Sequence, residues 1–561
     1  MQAILQFLLF TGILLFSNIL SSAYHTSIDL TEEKRFTLTK PTREMLRSLK
    51  DRIYINVLLD GSFPAGFKRL QSATREMLDD FRFQSGYIDY AFEDPAAGTV
   101  EQVNERRKAL AEEGIVPMNL RIAEQGESSQ KLIYPVAVIH YGSRRLVVKL
   151  LENESASLSP EMVINNSVSL LEYKFANGIQ KILTAARPII LYTTGHGELT
   201  PLQTSDIDRN LRQYYDTDRI NLDSAIQIKP DACALLIVAK PRSLFSEKDK
   251  FKIDQYIMSG GKVMWLIDRL GAGLDSLGQT GRTIPIDYPL AIEDMLFKYG
   301  IRIQPDLVMD LECTKIPLRV GQMGNAPQLE LFDWYYHLAV QAKSRHPIVK
   351  NLDRVEMDFC SSMDTLRTKT PIKKTVLLSS SRYSRLVFSP VELNFEILRY
   401  SPDPSKFNKG SQILGVLLEG SFTSNYENRV SQEMLAGLQQ IGLAFKSTGV
   451  ATRMLVVSDG DITANYVRDS EKRQWLPLGF NRFENITYAN KDFMMNAIEY
   501  LVNPAGVIAA RTKEVKLRLI DTVRVQEERF YWQMINIGSP LLLLVLFGAA
   551  YSYTRRRRYI G

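Results

Sequence analysis

Residues 188–198 read Pro188-Ile189-Ile190-Leu191-Tyr192-Thr193-Thr194-Gly195-His196-Gly197-Glu198, and this stretch decides the fold. An apolar run of strand length stops at two glycines, as a buried strand does where the chain turns toward a helix. The design recurs downstream. Helical spacing over 206–215 precedes a continuous apolar strand over 232–239. A helix over 246–258 follows, stopped by Gly260-Gly261, then a strand over 263–268 and a helix over 291–299 stopped by Gly300. Strands apolar throughout, alternating with helices, predict a doubly wound α/β unit: a parallel sheet covered on both faces. Further strands are expected over 375–379, 413–418 and 454–457, and a last amphipathic helix over 491–502. The pattern is irregular near 271–370, which marks an insertion.

Upstream, residues 52–60 form a β-rich run bounded by Gly61 and Pro64. Phe67, Leu70, Ala73, Met77, Leu78 and Phe81 then fall at helical spacing. Residues 87–92 alternate as a strand, 100–113 make a charged helix stopped by Gly114, 135–141 and 144–151 a hairpin about Gly142-Ser143, and 161–186 one long helix. The order β-α-β-α-β-β-α is that of a thioredoxin-like domain, with Pro135 where that fold places a cis-proline. The redox pair would follow the first strand, but Asp60-Gly61-Ser62-Phe63-Pro64 has no cysteine, so the scaffold is expected to be redox-dead.

The chain has 561 residues, 45% hydrophobic and 24% charged. That composition is globular and excludes a disordered or collagen-like chain. Of the net charge of +6, four units sit on Arg555, Arg556, Arg557 and Arg558, leaving no basic field for nucleic acid over the rest. The three cysteines form no CxxC or Cys/His cluster, which removes thioredoxin chemistry and structural zinc. Cys233 lies in an apolar run and reads as a buried thiol. A disulfide between Cys313 and Cys360 is the minor alternative to two free thiols.

The two ends address the compartment. Residues 1–24 carry no charged side chain, and 533–553 are a second uncharged stretch flanked by Tyr531, Trp532, Tyr551 and Tyr553. Both have the length of a membrane span with interfacial aromatics on the second. The arginine cluster over 554–561 marks a cytoplasmic tail, so two spans would leave everything between them outside the cytoplasm. Ser21-Ser22-Ala23 offers the alternative of a cleaved signal. The charged segment 506–532 is expected to be a juxtamembrane stalk.

Two loops are candidate ligand sites. Gly195, His196, Gly197 and Glu198 leave the end of the first α/β strand, where open sheets bind ligands. The glycines free backbone N–H groups, and His196 and Glu198 have the chemistry of a base and its orienter. Ser458-Asp459-Gly460-Asp461 follows another apolar strand. Asp459 and Asp461 could hold a cation with Asn465 as a neutral oxygen ligand. The bland reading of both is a tight turn, with Asp461 as a cap. If the loops converge, they share one cleft. Gly260-Gly261-Lys262 leads into a strand and lacks the Walker spacing, so no ATPase is expected. No G-x-S-x-G elbow exists either.

Ile28-Asp29-Leu30-Thr31-Glu32-Glu33-Lys34-Arg35-Phe36-Thr37-Leu38 after a span, Leu58-Leu59-Asp60-Gly61, Pro64-Ala65-Gly66-Phe67-Lys68-Arg69-Leu70, the Gly195–Glu198 and Ser458–Asp461 loops and a basic C-terminal span together resemble the GldG family. These are gliding-motility-associated ABC-transporter auxiliary proteins of Bacteroidetes. The resemblance covers essentially the whole chain. It implies a flavodoxin-like α/β domain over 187–505, after the thioredoxin-like domain over 25–186. It also implies a non-enzymatic, substrate-binding subunit of the bacterial inner membrane, multi-pass and mostly periplasmic, partnered by an ABC permease and a cytoplasmic ABC ATPase. No cofactor, metal centre or nucleic-acid partner is expected. The rival readings are an envelope hydrolase built on a metal or His/Glu site, and a purely structural tether.

Overall fold

The computed structural model describes residues 9–13, 16, 37–61, 63–124, 127–152, 159–184, 186–323, 326–398, 400–440, 442–503, 506–512 and 528–560. The chain divides into two units, Met1–Glu514 and Val515–Gly561.

The first unit opens with a four-stranded sheet in the order Ile88–Phe92, Ile53–Val57, Val136–Tyr141, Arg144–Lys149. Its first pair is parallel and the other two are antiparallel. Ile53, Ile55 and Val57 alternate into the core, as the period of a half-buried strand requires. The helix Ala65–Gln84 turns Phe67, Leu70, Thr74, Leu78 and Phe81 inward. Thr74 is tolerated in that stripe because its hydroxyl donates to the Leu70 carbonyl at 2.8 Å. Thr99 and Gln102 form a reciprocal cap at the start of Val100–Glu112.

Three features of this region depart from the sequence reading. The helix expected over 161–186 is two, Pro160–Ser169 and Leu171–Leu183. The hydroxyls of Ser167 and Ser169 donate to the carbonyls of Val163 and Asn166, diverting acceptors from the last turn of the first helix. A ribbon of Met118–Glu124 and Glu127–Ile133 was not anticipated. Among the described residues the cis peptide is Ser389–Pro390, so Pro135 follows a trans bond.

The α/β region is built on a nine-stranded sheet. Asp216–Asn221, Ile189–Thr194, Leu235–Ala239, Val263–Leu266 and Thr448–Val457 run parallel in that spatial order. Next to Thr448–Val457 the sheet turns antiparallel, through Ile413–Thr423 flanked by Ile372–Ser379 and Met363–Thr365, ending at Ile301–Ile303. The sheet is therefore mixed rather than wholly parallel. A parallel connection needs a helix packed across the sheet. The helix between Ile413–Thr423 and Thr448–Val457, Gln432–Gln440, buries no residue, so these two strands pair antiparallel instead.

The parallel strands are apolar throughout because each face meets a core of its own. Leu235, Ile237, Met264 and Leu266 pack on one side with Phe493, Ala497 and Leu501 of helix Asn490–Val502. Leu236, Val238, Val263 and Trp265 pack on the other with Ile253 and Ile257 of helix Glu247–Met258. The insertion carries a three-stranded antiparallel sheet, Cys313–Met323, Ala326–Val340 and Val355–Asp358, with its own core around Trp334 and Phe359. All three cysteines are free. Gly260, at a φ of +93°, ends helix Glu247–Met258, and Lys262 leads directly into a strand.

Val507–Thr512 returns to the N-terminal region. Val507, Ile508 and Ala510 are buried in the core formed by Leu46, Ile53, Phe175 and Ile179, so this part of the expected stalk is packed. Residues 513–527 of that stalk lie outside the described residues, and 529–532 are already helical, in the segment Arg529–Ile560.

The second unit contains the helix Arg529–Ile560. Its Arg529–Arg557 stretch of 29 residues is long and apolar enough to cross a membrane. Among the described residues it is the one such helix. The expected N-terminal span over 1–24 lies mostly outside them, with residues 9–13 and 16 helical.

Candidate functional site

Three parallel strands end side by side and deliver charged residues to one place. Leu235–Ala239 is followed by Lys240, Val263–Leu266 by Asp268, and Thr448–Val457 by Asp459, Gly460 and Asp461. The Lys240 ammonium lies 3.0 Å from Asp268 and also pairs with Asp461. Asp268 accepts the Gly460 N–H at 2.5 Å, and Asp459 accepts the Asp461 N–H at 2.7 Å. A Cβ on Gly460 would meet Lys240 Cβ at 2.7 Å and Cα at 3.0 Å, so the close approach of these loops requires glycine.

The opposite wall comes from the insertion. In the strand Val355–Asp358, Glu356 and Asp358 are two positions apart and share a face. His337, on the neighbouring strand, pairs in register with Asp358. The His337 Nδ1 lies 3.3 Å from an Asp358 oxygen. The other Asp358 neighbour is Asp459, whose carboxylate accepts the Asp358 N–H at 3.0 Å and locks the two walls together. Between the walls is a cleft of about 540 Å³ that also reaches Arg242, Arg482 and Tyr288.

Glu356, Asp358, Asp459 and Asp461 line the cleft together with Lys240, Arg242 and Arg482, and Asp268 pairs with Lys240 behind them. Burial, then the neighbouring acids, holds Asp459 and Asp358 well above the ordinary carboxylate range. Burial pushes Glu356 up to about 7 and His337 down to about 3. Burial alone would depress Lys240, but the Asp268 and Asp461 charges outweigh it and raise it. Among the described residues, the group of His337, Glu356 and Asp358 has ligand atoms all within 4.8 Å of one another. These three escaped the sequence reading. The signal was the alternation Glu356-Met357-Asp358, which in an unassigned segment reads equally as a solvated strand face.

The Gly195–Glu198 loop lies elsewhere on the same sheet edge. Its strand is separated from the Asp459–Asp461 strand by two others, three spacings or roughly 14 Å at the usual strand separation. His196 is buried, its ring stacked on Phe245 at 3.8 Å. Nδ1 lies 3.3 Å from Glu198 and Nε2 3.5 Å from Asp249, while the His196 N–H donates to Glu198 at 2.7 Å. Burial alone would lower the imidazole, but Glu198 and Asp249 outweigh it and hold its pKa above the ordinary value. Gly195 and Gly197 adopt φ of +113° and +75°. The His196 carbonyl accepts the N–H groups of Arg242 and Ser243, which joins this loop to the cleft through Arg242. Asp459 and Asp461 therefore line the cleft directly, while His196 and Glu198 engage each other beside it. Asn465, expected as an oxygen ligand, accepts the Asp206 N–H at 3.0 Å and donates to the Leu202 carbonyl, tying a helix to the cleft wall.

Comparison with known proteins gives two family matches. A model described as an ABC-type uncharacterized transport system matches residues 187–497, and a domain of unknown function, DUF7088, matches residues 32–140. An uncharacterized protein of Borreliella burgdorferi is 23% identical over 431 residues, 75% of this chain and 77% of that protein. Among solved structures, the mmIFT52 N-terminal domain is similar at 12% identity and a TM-score of 0.30, covering 56% of this chain and 97% of that one. A ThuA-like protein from Parabacteroides merdae is similar at 10% identity and a TM-score of 0.25, covering 56% and 91%.

Proposed function

This chain belongs to the family of auxiliary components of ABC-type transport systems, and from that membership we propose that it is a membrane-anchored, substrate-binding subunit presenting its cleft outside the cytoplasm. The observation that carries the reading is the cleft itself: charged residues from three strand ends and an inserted wall, at the edge where open α/β sheets take ligands. Asp459, Gly460 and Asp461 bind the ligand on this reading. Gly195, His196, Gly197 and Glu198 hold Arg242 at its margin. The His196 ring is buried with a carboxylate at each nitrogen, Glu198 at Nδ1 and Asp249 at Nε2, which supports a positioning role over that of a free base.

The finer points rest on the sequence. The chain is a GldG-type protein serving gliding motility, with a multi-pass permease and a cytoplasmic ATPase as partners. Both termini are cytoplasmic, and the large domain is periplasmic. The N-terminal region is a redox-dead thioredoxin-like domain, a reading supported by its strand order, and the α/β region is flavodoxin-like.

Detergent co-purification with partners identified by mass spectrometry tests the assignment. Recovery of an ABC permease and ATPase is expected from the full chain and from the double variant Asp459→Asn with Asp461→Asn, because the membrane helices carry that contact. Failure to recover either partner, or a reporter at Gly561 on the exported side, would end this reading.

A further inference from the structure

The wall formed by His337, Glu356 and Asp358 is built as a ligand set rather than as a structural contact. His337 is 6% exposed, lines the cleft, and its Nε2 has no hydrogen-bond partner. Asp358 Oδ1, beside the ring, is also buried without one. A core histidine placed only for packing would spend both nitrogens on the protein, because a buried polar atom left unpaired costs about 1–3 kcal/mol. Glu356 is prepared differently. Asn481 Nδ2 donates to its Oε1 at 2.7 Å, which fixes the carboxylate. Asn490 in turn clamps the Glu356 backbone on both sides, accepting its N–H at 2.9 Å and donating to its carbonyl at 2.8 Å. Such supports of a ligand are what a metal site carries around it.

The backbone makes the convergence unavoidable. Glu356 and Asp358 alternate onto one face of a strand, and His337 stands across the ladder from Asp358. Directly opposed residues on adjacent strands have Cβ atoms about 4.5–5.5 Å apart. The three ligand atoms consequently lie within 4.8 Å of one another.

We propose that His337, Glu356 and Asp358 bind one divalent transition-metal cation, zinc or manganese, in the wall of the cleft. The mixed set of one imidazole and two carboxylates suits these ions better than magnesium or calcium, which prefer all-oxygen ligands. Three protein ligands leave coordination positions open toward the cleft, where an oxygen-bearing molecule completes the shell. The site stands independently of the transport role, since it is measured on the chain alone.

The test is metal titration of the full chain in detergent, stripped with chelator and dialysed. Zinc, manganese and magnesium chlorides are added separately, and heat of binding, bound metal and thermal midpoint are read. Zinc or manganese is expected to bind at about one equivalent and raise the midpoint, as a ligand of the folded state must, with magnesium at least ~10-fold weaker. His337→Gln and Asp358→Asn should each weaken binding ~10-fold or more, at least the loss seen when a group that merely orients a ligand is removed. His346→Ala, at a histidine outside the cleft, should leave it unchanged. Where one of the two variants fails to fold, the other and Glu356→Gln carry the comparison. The proposal is overturned by no stoichiometric binding, or by unchanged affinity in the folded variants. Either result would mean that His337 and Asp358 share a proton rather than a metal, and would leave the transporter assignment untouched.

Discussion

His196 lies between Glu198 and Asp249 with its ring on Phe245, so its protonation is coupled to folding. Its pKa is raised in the folded state, which therefore holds the proton more tightly than the unfolded chain. The stabilisation is fully present below the ordinary value of about 6.5 and is lost as pH rises through the folded value. Chemical denaturation as a function of pH should show this decline in the native chain. His196→Gln should flatten it and cost about 1.5–3 kcal/mol on the acid side, as expected for hydrogen bonds to charged groups. Gly460→Ala acts by another route, since its new methyl meets Lys240 at 2.7–3.0 Å. A loss of about 1–3 kcal/mol is expected in the same assay. At this scale the sequence singled out Asp459 and Asp461, because loops after apolar strands announce themselves. His337 was illegible, because its chemistry exists only once two strands of the insertion are laid side by side.

The inserted ribbon divides sharply along its length. At its base Trp334 is fully buried, with the rings of Tyr336 and Phe395 tilted against it and that of Phe359 edge-on. Toward its tip Val320, Leu329 and Leu331 are exposed. Trp334→Ala should cost about 3–5 kcal/mol. Replacing residues 319–330 by a two-residue turn should change stability by less than about 1 kcal/mol, because little burial is lost. Thermal melts of the two variants decide this. The sequence hid the ribbon for a physical reason. Pro317 sits within Cys313–Met323, and proline argues against a strand except at an edge. Cys313–Met323 pairs only with Ala326–Val340 among the described strands, so its proline is harmless. Asp216–Asn221 was missed on similar grounds. It is an edge strand in which Asp216 and Asp218 are exposed, where apolar periodicity has nothing to report. The central strands were legible because their burial on both faces leaves no polar position to blur the run.

Across the whole first unit, the N-terminal and α/β regions are joined by a buried ion pair. Lys181 of helix Leu171–Leu183 lies 2.8 Å from Glu499 of helix Asn490–Val502, and Tyr215 donates to the same carboxylate at 2.7 Å. Burial alone would raise Glu499, but Lys181 outweighs it and holds it below the ordinary range. Lys181→Met should cost about 3–5 kcal/mol, because an unpaired carboxylate stays buried. The double variant Lys181→Met with Glu499→Leu should recover much of that loss in a double-mutant cycle.

Val507, Ile508 and Ala510 complete a core otherwise built from residues 38–182. That closure sets an order in time. The region synthesised first must wait for a segment synthesised long after it, roughly 300 residues later, or on the order of half a minute at ordinary elongation rates. Until then its apolar seat is open to chaperones and to wrong partners. A region made early is thus completed late.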